Sequence, residues 1–160
     1  MLTIEERIEN RNKVIELINK LDMDAERFIS YLDCPRSDFF NKPYNNFPEY
    51  AYEGSLCKYA LDTYEMMKKA QALVNATYTD EQLIEVALFK NLYRAELYEF
   101  AGKSVKKKDA RPVFGDISFS SYMIAKKFID NLDDDVIEAI CYSNTGDINS
   151  VDSWAIRQNY

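Results

Sequence analysis

The chain has 160 residues, of which 47% are hydrophobic and 14% aromatic, enough to bury the core of a single domain and too apolar for a disordered chain. Its 20 basic and 27 acidic side chains leave a net charge of −7. That balance argues against direct nucleic-acid binding, which needs a basic face, and is compatible with ordinary solubility or with a protein that docks on a basic partner surface.

Thr3 and Glu6 have the spacing of a capping box. They precede Ile4, Ile8, Ile15, Ile18 and Leu21, so an amphipathic helix is expected over about 4–21 with these residues as its buried stripe. Asp24 can cap a second, short helix through Phe28, Ile29 and Leu32, ending before Pro35. Residues 33–53 hold three prolines and six aromatics, among them Phe39, Phe40, Tyr44, Phe47 and Tyr50. An ordered loop is expected, since leaving these rings in water is costly. If they are exposed instead, they mark an interface.

A third helix is expected from about Ser55 to Val74, with Leu56, Tyr59, Ala60, Tyr64, Met67 and Ala70 on its buried face. Thr79 and Gln82 form a second capping box. Leu83, Val86, Ala87, Phe89 and Leu92 then make the fourth helix apolar on nearly every side, which places it at the centre. The apolar pattern continues through Leu97 and Phe100 to Gly102, as a helical extension with a glycine stop. Residues 103–118, with Lys106, Lys107 and Lys108 in a row, read as a solvated loop or a small basic patch. A fifth helix is expected over about 120–131. Asp133, Asp134 and Asp135 open a sixth, where carboxylates favour the helix dipole. The fold class is all-α: a compact bundle of five to seven helices, with residues 1–160 as one domain.

There is no histidine, so the commonest general base and the commonest transition-metal ligand are both missing. Cys34, Cys57 and Cys141 form no CxxC pair and fit the reduced thiols of a cytoplasmic protein. No apolar run approaches the roughly 20 residues that span a bilayer, and the charged, helix-forming start is unlike a signal peptide. Phosphate-binding glycine loops and nucleophile elbows are absent.

Four collinear stretches carry a resemblance. Ser37-Asp38-Phe39-Phe40, Pro43 and Tyr52-Glu53-Gly54-Ser55-Leu56-Cys57-Lys58-Tyr59-Ala60-Leu61 come first. Leu88-Phe89-Lys90-Asn91-Leu92-Tyr93-Arg94-Ala95, Arg111-Pro112 through Phe128-Ile129, and Ala139-Ile140-Cys141-Tyr142-Ser143 follow. Together they resemble the small HD-domain phosphohydrolases common in phages and prophages. The resemblance implies an HD-domain-like bundle. In that family, histidines and aspartates hold divalent ions that activate water against a phosphate ester. Here the ligand histidine becomes Tyr59 and the His-Asp pair becomes Lys90-Asn91. The loop histidine falls near Gly115, and the later histidine becomes Ser143.

A degenerate former metal site of Tyr59, Lys90, Asn91 and Ser143 is therefore expected, with no catalytic residue, metal or cofactor. The implied function is binding of a macromolecule: a phage or prophage protein in the host cytoplasm that meets a host protein and modulates or inhibits a host defence system. Two alternatives stand beside it. One is a nucleotide-binding pseudoenzyme whose old pocket keeps Lys58, Lys90 and Arg94 for phosphates. The other is a hydrolase with a rebuilt carboxylate metal site drawn from Glu49, Glu53, Asp62 and Asp116. A buried Lys90 ammonium needs a counter-charge, and Asp62 and Glu53 are the candidates.

Overall fold

The computed structural model describes residues 1–74, 77–108 and 116–142. The expectations placed on Gly115 and Ser143 lie outside them. In chain order the elements are α1 (Ile4–Ile18), α2 (Ala25–Asp33), α3 (Ser55–Val74), α4 (Asp80–Phe89), α5 (Leu92–Leu97), β1 (Tyr98–Ala101), β2 (Ser104–Lys107), α6 (Ile117–Ala125) and α7 (Asp134–Tyr142). The chain is mostly helical, with one small two-stranded sheet.

Side chains close the helix starts as the sequence dictates. Thr3 and Glu6 exchange backbone hydrogen bonds of 3.0 Å at the head of α1, and Thr79 and Gln82 repeat the device at α4. Asp24 accepts from the Arg27 amide at α2, and Asp116 accepts from the Phe119 amide at α6. Each satisfies an amide that a helix start leaves without an internal partner. At the centre stands α4, where every residue from Leu83 to Phe89 is buried. Helix α3 packs along it, α1 lies against α3, and α6 and α7 close the remaining sides. Phe28 of α2 meets Phe89 edge-on at 5.6 Å, a favoured aromatic geometry.

Three expectations need correcting. The helical extension through Phe100 is a hairpin instead. The chain breaks at Lys90 and Asn91, turns once through α5, and then pairs Tyr98–Ala101 antiparallel with Ser104–Lys107. Gly102 sits at φ +65°, a turn conformation open to glycine, where a helix stop was expected. The solvated loop over 103–118 therefore begins as a strand, with Lys106 opposite Glu99. The third correction lies on α1, whose inner face is Val14, Leu17 and Ile18. Ile4 and Ile8, expected in the core, are exposed at 68% and 55%.

The loop of residues 33–54 is ordered by its own polar groups. Asp38 takes φ +46°, a left-handed conformation that aspartate tolerates, and its carboxylate accepts from the Asn41 side chain at 2.8 Å. Arg7 of α1 donates to Asn41 at 2.6 Å and pairs with Glu53 at 2.7 Å. The turn into α3 is made at Gly54, φ +85°, where an added Cβ would stand 3.2 Å from Arg7 Cγ and 3.3 Å from a Leu2 methyl. No helix among the described residues is long and apolar enough to cross a membrane.

Candidate functional site

Tyr59 stands in the second turn of α3, where the resemblance places a metal-binding histidine. Its ring lies flat against Tyr44, with centroids 3.8 Å apart and planes 20° apart. Tyr50 closes on both rings, at 5.0 Å from Tyr44 and 5.8 Å from Tyr59. The Arg94 guanidinium sits 4.1 Å from the centre of the Tyr44 ring, a cation–π contact. Its Nε donates to Asn91 Oδ1 at 2.8 Å and its Nη1 to the Tyr44 carbonyl at 3.3 Å. Ser55 holds the loop in place: its hydroxyl accepts from the Tyr44 amide at 2.8 Å and donates to the Tyr50 carbonyl at 2.5 Å.

Tyr59, Arg94 and Asn91, three positions singled out in the sequence, thus converge in one cluster. Lys90 adjoins it at the end of α4, wholly buried at 0% exposure, with its amide bonded to the Val86 carbonyl. Lys58 does not join the cluster. It lies on the outer side of α3, where it pairs with Asp62 at 2.5 Å. The two carboxylates expected to receive Lys90 are exposed on the surface, Asp62 engaged by Lys58 and Glu53 by Arg7.

The electrostatics suit packing better than catalysis. Burial, reinforced by Tyr44 alongside, raises the Tyr59 hydroxyl well above its ordinary pKa, so it keeps its proton and offers no phenolate to a cation. Burial likewise pushes the Cys57 thiol to about 12, which removes it as a nucleophile. Arg94 is committed to Tyr44 and Asn91, and Lys58 to Asp62. The carboxylates of the rebuilt metal site are dispersed as well: Glu53 and Asp62 sit in ion pairs and Asp116 caps α6. Among the described residues no group of three or more Cys, Asp or Glu side chains is placed to hold a metal ion.

The aromatic loop divides. Phe39, Phe40 and Tyr44 are core residues and Tyr50 is half-buried, so these four give no open contact surface; Phe47, exposed at 59%, is the exception. The role of Tyr44 was missed in the sequence. Proximity in the chain to Phe47 and Tyr50 suggested a shared patch; Tyr50 does meet its ring, but its other partners, Tyr59 and Arg94, lie 15 and 50 residues further along. Comparison of the chain with protein-family models, with curated proteins and with solved structures gives no match.

Proposed function

We propose that the chain is a non-catalytic protein of HD-like ancestry, of the kind phages and prophages encode, that acts by binding a protein of its host and so modulates or inhibits a host defence system. One observation carries the reading. The place where the resemblance puts a metal ligand is filled by the Tyr59–Tyr44–Arg94 stack, in which the two rings and the guanidinium engage one another. A scaffold kept while its site is filled is suited to recognition by its surface, and the acidic balance of −7 favours a basic partner surface.

The test is paired. The purified protein is assayed with magnesium, manganese and iron against nucleotides and phosphate esters, and is titrated calorimetrically with mono-, di- and cyclic nucleotides. Neither turnover nor heat is expected. Chelator-sensitive turnover overturns the reading in favour of a hydrolase. Nucleotide binding that is lost in Arg94→Met overturns it in favour of a ligand pocket.

A further inference from the structure

Helix α1 carries a second apolar stripe that the fold uses only at Ile15, which packs in part against the core. Ile4, Ile8 and Ile15 fall within about 40° of one another round the helix at 100° per residue, beside the inner face of Val14, Leu17 and Ile18 and distinct from it. Ile4 is 68% and Ile8 55% exposed, and Ile15 is half-buried. β-Branched side chains on an exposed helix face give nothing to helix formation, so local structure does not account for them.

The charges beside the stripe are unequal. On its inner side Arg7 and Arg11 are neutralised by Glu53 and Asp33. On its outer side Glu5, Glu9 and Glu16 each follow one of the isoleucines by one residue, forming a parallel acidic row. Lys13 offsets part of this at Glu9, 3.2 Å away. Glu5, Ile8, Glu9, Asn12, Lys13 and Glu16 share this open, solvent-facing side of the helix. From Ile4 to Ile15 the two rows extend about 16 Å, three turns of helix.

We propose that this face of α1 is the docking surface for a basic amphipathic helix of a protein partner, its apolar seam on Ile4, Ile8 and Ile15 and its lysines or arginines along Glu5, Glu9 and Glu16. This rests on the reading of the chain as a protein-binding module and names the chemistry of the partner. Helix-on-helix recognition reads anchors one turn apart, as Ile4 and Ile8 are, and the one-sided acidic row fixes which flank of the incoming helix must be basic. A second copy of this chain is the poorer occupant, because it brings −7 of its own and sets acidic rows near each other.

The test uses an 18-residue helical peptide with a leucine seam and lysines on one flank, titrated into the full-length protein. Two controls accompany it: a scrambled peptide of the same composition, and one with glutamate for lysine. Saturable binding of the first alone is expected, weakening with salt, with Kd raised at least tenfold by the pair Ile4→Ser and Ile8→Ser and by the pair Glu9→Lys and Glu16→Lys. Leu73→Ser, at another exposed apolar residue, serves as the unaffected control, and circular dichroism checks that every variant is folded. Equal binding of the scrambled peptide, or binding indifferent to the isoleucines, overturns the proposal. A dimer in sedimentation that Ile8→Ser dissolves also overturns it, in favour of a second copy. No peptide binding together with no phosphohydrolase turnover removes this inference and leaves the non-catalytic reading standing; turnover removes the reading itself.

Discussion

The tyrosine cluster at the start of α3 and the outward face of α1 both carry large side chains with apolar surface, yet one is consumed by the fold and the other is largely left over. Around Tyr59 the rings and the guanidinium meet neighbours, ring against ring, guanidinium on ring, guanidinium on amide, while Asn91 Nδ2 is buried without a hydrogen-bond partner among the described residues. Along α1, Ile4 and Ile8 of the outer stripe meet solvent. Chemistry at a site requires groups whose valences remain open to a ligand, and the cluster has few. Recognition requires surface whose burial is still to be gained, and the helix has it.

The largest effect that could break this contrast is removal of Tyr44. Its ring is buried between Tyr59, Tyr50 and Arg94, so Tyr44→Ala should destabilise the protein by about 3–5 kcal/mol, the range for deleting a buried aromatic. Urea unfolding measures it. A loss below about 1 kcal/mol would mean that the stack is a surface ornament and the cluster an open site.

Gly54 links the two regions, since a Cβ there would press on Arg7 and Leu2 near the head of α1 at a positive φ. Gly54→Ala should cost about 1–3 kcal/mol, and addition of Ala at Arg7 should recover part of it by clearing the contact. Additive losses in the double variant would show that the strain is in the backbone alone.

Glu85 tests whether pH can act on the scaffold without touching either region. Burial first, then the negative charges of Asp133 and Glu81, raise its pKa to about 7 from an ordinary value of 4.5. The folded state therefore holds this proton more tightly than the unfolded chain does. Stability linked to it is complete below about pH 4.5 and is lost as pH rises to about 7. Glu85→Gln, which keeps the shape of the protonated side chain, should be more stable than the wild type by about 1–2 kcal/mol at pH 8, allowing for partial solvation. The difference should vanish in acid. Thermal unfolding at both pH values reads it, and a variant less stable at pH 8 would mean that the carboxylate has a cationic partner.

The contrast also explains what could be read in advance. Both capping boxes and the span of α3 follow from local chemistry, Thr3 with Glu6, Thr79 with Gln82, and they are found in place. The hairpin was hidden because Leu97 and Phe100, three residues apart, continue the helical period past the real end of α5 at Leu97, and Gly102 serves a helix stop or a turn equally well. The position of Tyr59 was legible, but its stacking on Tyr44 was not, since the path of the 33–54 loop is fixed by tertiary bonds from Arg7 and Ser55.

The smallest effect gives the most direct measure of the unused face. Ile18 and Ile4 lie on the same helix, one wholly buried and the other 68% exposed. Periodicity assigned both to a single stripe, because a wide apolar arc does not reveal which edge the core will cover. Ile18→Ala should cost about 2–5 kcal/mol through the lost contacts and the cavity left behind. Ile4→Ala should change stability by no more than about 0.5 kcal/mol, because the little burial lost is offset by the better helix propensity of alanine. If Ile4→Ala costs as much as Ile18→Ala, the face is covered within the protein itself and has nothing to offer a partner. If the difference holds, the side chain has no structural work in the isolated chain, and its removal should be felt only when the basic helix is present.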